Sequence, residues 1–545
     1  MKRSFLVCFC LAVFAFIITW LFAGFYYESN DDFAMDYTLR GQMGSVIDNF
    51  YICLSGITEF FAALYKVVPG FPFYSASLYF LLLVSTATIF SLLNKFSGGL
   101  DVWKKLGLLG LFYYLFLLEN VMYFNFTRVA LLLCASALLK IYDLSLSKAG
   151  FLKTSLFILL LLIGALIRID SFYLSCLIVL PGILLMEYCR TGKAQKLVLN
   201  LLGIVLLTGF SAYLIIWSLD NPSVRASIKL TTFVSDYHVI DKAKVVNPAD
   251  RLYYEGIYHW FFGDGAVYSF NKLSSFIDRN SYTLFYFNRD KIFFSSRIFL
   301  EMLIRNYFSF VICNALFLFF CLNSSLRGKK FLLLFTIYVW SGLFLVAVLF
   351  KVEERVLCPA LVIYTMINML IVLKHITYIP FRKFVLGLTA LLFVLNSVKL
   401  VQRVRFASQR QAENTEALVQ IKHMADENPY VLATVAGRYV TFLDPFKTYD
   451  TGLGHKLIRL SGWFAVFPQN HAMISKAAGK DSLPDLFDYC ARNRIPFLAS
   501  QSEIRFLQEY FRVFYKQEFR FEKKERTKGM VEVYYVSDKT SLRGK

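Results

Sequence analysis

Apolar runs of about 20 residues recur along this chain, and that length is what a helix needs to cross the hydrocarbon core of a bilayer. With 57% hydrophobic and 18% charged residues, the chain lies outside the usual balance of soluble globular proteins. The sequence therefore predicts a polytopic α-helical membrane protein with about eleven transmembrane helices. The predicted spans are 5–26, 72–94, 106–118, 127–142, 154–167, 171–187, 197–218, 298–321, 330–350, 357–373 and 384–401.

The first run could also be a cleaved signal peptide. It is long enough to span, however, and it lacks a clear small-residue cleavage site, so we interpret it as a retained first helix.

Lysine and arginine positions indicate how the spans are oriented. With the N-terminus in the cytoplasm, the inner loops carry about 17 Lys and Arg residues and the short outer loops about six, as the positive-inside rule requires. Lys104, Lys196 and Lys330 then face the cytoplasm. The same rule explains the net charge of +20 without nucleic-acid binding. Because the loops are compact, we expect a multi-pass protein of a bacterial inner membrane.

Three predicted outer regions are large enough to form a site: the first loop (27–71), the large loop (219–297) and the chain after 401. The inner loops are too short to fold around a nucleotide. Beyond 401 the long apolar runs give way to alternating helix and strand patterns. We therefore predict a transmembrane domain, 1–401, and an extracytoplasmic α/β domain, 402–545. Strands are predicted at 430–435, 495–499 and 519–536, and helices at 482–492 and 503–515.

The first loop opens with clustered carboxylates. Glu28 is followed by Asp31, Asp32 and Asp36, all within a few residues of the membrane. Carboxylates at this position are costly to desolvate, and they are useful where a base or a metal ligand is needed beside a lipid-borne substrate. The alternative interpretation is a solvated loop that happens to contain acids.

A first helix leading out of the cytoplasm into a loop that opens with an Asp-Asp pair resembles the GT-C superfamily of membrane glycosyltransferases, which use polyprenyl-phosphate-linked sugars. This superfamily includes the protein mannosyltransferases, the oligosaccharyltransferase catalytic subunits and the aminoarabinose transferases of lipid A. A large loop after the seventh span and a C-terminal domain on the outer side extend the resemblance. It implies a GT-C-like fold in which Asp31 or Asp32 is the catalytic base or a metal ligand.

Four further charged residues at predicted outer helix ends are candidates for substrate or phosphate binding. Arg168 lies in a tight turn, where it either contacts a lipid phosphate or pairs with Asp170. Arg355 and Lys351 lie between the ninth and tenth spans. The fork of Arg355 suits a phosphate, although a neighbouring glutamate is an alternative partner. Glu119 ends the third span, where the superfamily often has a second acidic group, and its alternative is a solvated helix end.

The resemblance implies transfer of a sugar from a polyprenyl-phosphate donor to a glycan, lipid or protein acceptor outside the cytoplasm. Inversion at the anomeric carbon is expected, since one carboxylate base suffices for direct displacement. The resemblance leaves metal use open, because the superfamily often does without a metal or uses Mg²⁺ or Mn²⁺. If a metal takes part, Asp31 and Asp32 would suit such a hard cation. The alternative is a transporter, flippase or polymerase-type assembly protein for a lipid-linked envelope polysaccharide. A transporter would have charges inside its helices and broken, paired repeats.

Overall fold

A computed structural model of the protein describes residues 2–44, 46–51, 53–147, 150–192, 195–219, 221–237, 239–282, 288–351, 353–375, 381–526 and 532–541. The long apolar runs form helices, in which the backbone N–H and C=O groups pair internally as hydrocarbon requires. Up to position 218 the helices are α1 (Lys2–Phe22), α2 (Asn30–Leu39), α3 (Thr58–Val67), α4 (Phe73–Phe96), α5 (Val102–Phe112), α6 (Leu118–Met122), α7 (Phe126–Leu146), α8 (Phe151–Ile167), α9 (Ile169–Thr191) and α10 (Gln195–Ser218).

Within the described residues, nine helices are long and apolar enough to cross a membrane, and there are ten if a bent pair counts as one span. The chain is therefore a polytopic helical membrane protein, as predicted. One span combines α5 and α6 through a π-helical turn, Tyr113–Leu117. The later helices are α11 (Pro222–Asp236), α12 (Pro248–Tyr258), α13 (Phe270–Asn280), α14 (Arg289–Arg305), α15 (Phe308–Leu322), α16 (Lys329–Leu349), α17 (Glu354–His375), α18 (Arg382–Glu427), α19 (Pro468–Ala478), α20 (Leu483–Asn493) and α21 (Gln501–Tyr510).

Two predicted spans account for the difference between the nine long apolar helices of the described residues and the predicted total of about eleven. The span predicted at 154–167 is α8, whose 17 residues are at the lower limit for crossing a bilayer. The span predicted at 298–321 is not one straight helix, because α14 and α15 meet at a bend of 80°. The sequence suggests one run there because apolar residues continue across the bend, and the pattern of apolar residues does not record the change in direction.

The end of the chain forms a small α/β unit. The strands of the protein are β1 (Tyr26–Tyr27), β2 (Tyr123–Phe124), β3 (Val431–Ala433), β4 (Leu457–Arg459), β5 (Pro496–Ala499), β6 (Gln517–Arg526) and β7 (Glu532–Ser541). Five of them form a mixed sheet in the order β4-β3-β5-β7-β6, in which β3 is parallel to β4 and β5. β3, β5, the β6–β7 pair, α20 and α21 agree with the predicted elements. The sequence does not predict β4, which has only three residues, or α19.

Helix α18 joins the bundle to the α/β unit. It has 46 residues and is roughly 70 Å long. One hydrophobic cluster continues from the bundle through Leu418 to Val431. A second cluster packs the large loop against the α/β unit, with the rings of Phe261 and Tyr510 centred 5.2 Å apart. The predicted division at 401/402 stays a prediction, and α18 crosses that point without a break.

Asp264 connects the large loop to the α/β unit. Its buried carboxylate accepts hydrogen bonds of 2.7 Å from the Tyr510 hydroxyl and 2.5 Å from the Tyr515 hydroxyl. Asp264→Ala would leave both hydroxyls without this acceptor, and an unpaired buried polar group costs roughly 1–3 kcal/mol. We expect a lower thermal unfolding midpoint, measured by tryptophan fluorescence in detergent. The exposed Asp278→Ala is the control, and equal midpoints for the two variants would contradict this role.

Candidate functional site

The acidic part of the first loop folds into helix α2. Asp31 and Asp32 lie in its first turn, where carboxylates interact favourably with the helix dipole. Every residue from Asp32 to Leu39 is buried. The alternative of a solvated acidic loop is therefore wrong for most of this segment.

Asp32 is a buried carboxylate held entirely by protein donors. Its side chain is 0% exposed. It accepts hydrogen bonds from the Tyr74 hydroxyl (2.9 Å), the Asn125 amide (2.8 Å), the Phe126 N–H (3.0 Å) and the Ser29 hydroxyl (3.2 Å). Burial raises the pKa of Asp32 to about 7, although the bonds from Tyr74 and Phe126 lower it. Asp32 thus ties α2 to the starts of α4 and α7.

Asp31 has a different environment, because adjacent helix positions point about 100° apart. Its side chain is 27% exposed. The Arg355 Nη1 lies 3.0 Å from one carboxylate oxygen, and the Trp463 indole N–H lies 3.3 Å from the other. Arg355 belongs to the start of α17, whereas Trp463 belongs to a 3₁₀ turn of the α/β unit. Of the two carboxylates, Asp31 is therefore the one that is accessible from solvent.

Four of the predicted site residues lie within electrostatic range of the buried thiol of Cys53: Asp31, Asp32, Arg168 and Arg355. Burial raises the pKa of Cys53 to about 12. Arg168 donates a hydrogen bond of 2.7 Å to the Thr127 hydroxyl, while Asp170 lies 4.0 Å away. The fold therefore brings together charged groups from the first loop, α8–α9 and α17.

Glu119 belongs to a row of charges that the sequence does not predict. Arg403 and Lys399 of α18 lie 2.6 Å and 3.0 Å from its carboxylate. Arg128 of α7 lies 4.0 Å from Glu119 and donates two hydrogen bonds, of 2.6 and 2.8 Å, to Glu28. Glu119 is therefore not the solvated helix end of the alternative interpretation.

Glu28 connects this row to Asp31, because Arg355, the partner of Asp31, lies within electrostatic range of Glu28. At the other end, Arg403 also lies 3.3 Å from Glu354. Charges inside a helix bundle are tolerated when opposite charges adjoin. The row joins four acids and four bases of the described residues: Asp31, Glu28, Glu119, Glu354, Arg355, Arg128, Lys399 and Arg403.

One end of the row lines a cleft between the third span, α15 and α18. Its polar wall contains Glu119, Lys399 and Arg403, and its apolar walls contain Leu118, Phe310 and Leu400. The cleft volume is about 30 Å³, close to that of one water molecule in the liquid. A larger ligand would require the surrounding helices to separate. The combination of charged and apolar walls suits a molecule with a charged head and an apolar tail.

Lys351 is the remaining predicted residue. Its ammonium lies 2.7 Å from the Glu353 carboxylate and 3.0 Å from that of Asp236. Asp236 is the last residue of α11, the first helix of the large loop. Burial lowers the pKa of Lys351, but these two acids raise it more, so the net shift is upward. Its ion-pair partners differ from those of the charge row.

The α/β unit covers the other side of α2. Arg459 of β4 donates hydrogen bonds to the Thr38 hydroxyl, at 3.0 Å, and to the Met43 carbonyl. Its guanidinium lies 4.4 Å from the centre of the Phe464 ring. Burial lowers the pKa of Arg459 to about 9. The segment 459–463 therefore holds α2 in place and positions the Trp463 indole beside Asp31.

Among the described residues, no group of three or more His, Cys, Asp or Glu side chains is arranged to hold a metal ion. Asp32 directs its oxygens at protein donors, so Asp31 is the carboxylate of the pair that a cation could reach. Mg²⁺ can bind through one or two carboxylates together with substrate phosphates. Metal use therefore stays a prediction, with Asp31 as the accessible protein ligand.

Comparison of the chain with protein-family models, curated proteins and solved structures found no match. The interpretation of the site therefore depends on its geometry and on the resemblance described above.

The raised pKa of Asp32 predicts a pH-dependent contribution to stability. Between pH 3.8 and about 7, the folded protein retains a proton that the unfolded chain releases, so this contribution falls as pH rises and levels off above the folded pKa. Asp32→Asn removes the titration. We expect the thermal midpoint of the wild type, relative to Asp32→Asn, to fall across that window.

Asp31→Asn is measured in parallel, so that a pH dependence caused by the buried carboxylate of Asp32 can be distinguished from one caused by Asp31. A constant difference between wild type and Asp32→Asn across the pH window would contradict the assignment.

Proposed function

We propose that the protein is a membrane glycosyltransferase that takes a sugar from a polyprenyl-phosphate carrier. The observation that carries the proposal is the accessible carboxylate of Asp31, which faces Arg355 beneath the α/β unit. A row of paired charges continues from it to a cleft with apolar walls. Transfer from a lipid phosphate needs an accessible acid, nearby guanidinium groups and a place for an apolar chain, and the cleft would supply that place once the surrounding helices separate.

In the proposed reaction Asp31 is the general base. It accepts the proton of the acceptor hydroxyl as the hydroxyl oxygen forms a bond to the anomeric carbon. The bond between that carbon and the phosphate oxygen breaks, and polyprenyl phosphate leaves. One base on the face opposite the leaving group gives inversion. The acceptor and the phosphate lie on opposite faces of the sugar, so the ion pair between Asp31 and Arg355 must open for the reaction. Arg355 then pairs with the phosphate and stabilises the charge that develops on it.

The donor phosphate has two groups of candidate ligands. Arg355 pairs with Asp31, and Arg168 belongs to the same charged cluster around Cys53, so both are candidates to act on the leaving group. Lys399 and Arg403 line the cleft with Glu119. We propose that the lipid enters by this cleft, where its phosphate first replaces Glu119 as the anionic partner of Lys399 and Arg403, and that the phosphate then moves to Arg355 for the reaction.

The proposed site faces away from the cytoplasm. The distribution of Lys and Arg favours a cytoplasmic N-terminus, and we place the α/β unit on the outer face of a bacterial inner membrane. The acceptor, a glycan, lipid or protein, would approach Asp31 alongside Trp463. Trp463 suits that position because the face of an indole ring packs against a sugar.

A transporter or flippase for a lipid-linked glycan is the second candidate. Two observations favour it: the charges within the spans and the 80° bend between α14 and α15, since transporters bind substrates at broken helices. It differs from the enzyme in one measurable respect, because a transporter moves the lipid-linked sugar without cleaving it.

Asp31→Asn should abolish most transfer without preventing folding. The substitution keeps the shape but removes the base, and the loss of a general base typically costs about 10²–10⁴-fold in rate. The assay is release of polyprenyl phosphate from a lipid-linked sugar by the purified, correctly folded protein. Asp170→Asn, at a side chain that is 79% exposed, is the control.

Near-normal release of polyprenyl phosphate by Asp31→Asn would show that Asp31 is not the general base and would assign that role to another acid of the row. If the wild type released no polyprenyl phosphate but moved the lipid-linked sugar across vesicles, the transporter would be the correct function.

Arg403→Lys should weaken donor binding. Lysine keeps the positive charge beside Glu119 and Glu354 but cannot reproduce the fork of arginine on a phosphate. We expect the donor KM to rise roughly tenfold, which corresponds to about 1.4 kcal/mol of binding, with a smaller change in kcat. Arg410→Lys on the same helix, where Arg410 pairs with Glu413 at 3.0 Å, is the matched control. An unchanged KM in folded Arg403→Lys would exclude the cleft as the phosphate site.

A further inference from the structure

Helix α14 presents three different faces along its length. Its buried face is formed by residues four apart, which pack towards the bundle: Lys291, Ser295, Phe299 and Leu303. The Phe299 ring lies 5.9 Å from that of Phe344, and the Lys291 ammonium donates a 2.8 Å hydrogen bond to the Leu349 carbonyl at the end of α16. The helix is therefore attached to a membrane span near the end of that span.

The second face of α14 is apolar and exposed. Phe293, Leu300 and Ile304 are 72%, 54% and 72% exposed, and their spacing places them on one stripe of the helix. The third face carries Glu301 and Arg305, together with Phe294, which is 58% exposed. Arg297 lies at the edge of the apolar stripe, four residues after Phe293 and three before Leu300. A helix with protein on one side, an exposed apolar stripe on the next and charges on the third has the amphipathic character of an interfacial helix.

The direction of α14 gives an independent indication. α14 and α15 meet at 80°, so if the apolar α15 runs across the bilayer, α14 runs nearly parallel to its surface. The bend is fixed by the charge row. The Asn306 amide donates a 2.7 Å hydrogen bond to Glu354, and the Tyr307 hydroxyl donates one of 3.2 Å to Glu119.

We propose that α14 lies in the headgroup layer of the leaflet next to the α/β unit, with its exposed apolar stripe inserted among the acyl chains. The bilayer surface is the partner that fits, because the helix packs on a membrane span and because arginine side chains beside such a stripe extend to the polar headgroups. Asn306 also lines the cleft. A lipid-anchored α14 therefore fixes one wall of the cleft at headgroup depth, whichever reaction the protein performs.

The test uses full-length protein in nanodiscs that contain a nitroxide lipid. Single cysteines at the apolar stripe, Phe293→Cys and Ile304→Cys, are labelled with an environment-sensitive fluorophore and compared with Glu301→Cys and Arg305→Cys on the charged face. Labelled wild type gives the background of the native cysteines. Leu300→Cys replaces either stripe variant that does not insert normally.

We expect blue-shifted emission and strong quenching by a shallow nitroxide lipid at the apolar stripe, and preferential quenching by aqueous iodide at the charged face. Three results would overturn the proposal: equal access of iodide to all four positions, protection of the stripe from both quenchers, or strongest quenching of the stripe by a nitroxide at the bilayer centre. The second result would indicate a protein partner or a second copy of the chain, and the third would indicate a spanning helix.

Discussion

The guanidinium of Arg128 needs a counter-ion, and that need fixes the region around the candidate site. Arg128 is 0% exposed near the start of α7, and an uncompensated charge there would cost several kcal/mol. Glu28 supplies the compensation through two hydrogen bonds. Since Glu28 comes just before α2, the same ion pair holds the start of that helix against the bundle. The orientation of Asp31 and Asp32 follows from this attachment.

The site lies where three parts of the chain meet. The bundle contributes Arg355, the first loop contributes Asp31, and the α/β unit contributes Trp463. Helix α18 links the bundle to the α/β unit while its Lys399 and Arg403 pair with Glu119. A change in the position of the α/β unit would therefore alter the contacts of Asp31 and of α18.

Sequence patterns identify part of this site. Asp31, Arg168 and Arg355 stand out because charges at the ends of apolar runs are costly and therefore informative. Trp463 carries no comparable signal, since it contacts Asp31 across 432 positions of sequence. Lys399 and Arg403 near the end of the last span resemble ordinary interfacial anchors, and only helix packing places them at Glu119.

The sequence by itself determined the membrane character of the chain, most of its spans and most elements of the α/β unit, because hydrophobic length and periodicity are local properties. It also marked the acidic start of the first loop. Only the tertiary structure decided that Asp32 is buried while Asp31 is accessible, and that α14 turns away from α15. Burial, direction and charge pairing depend on which distant helices pack together, and no local pattern records that choice.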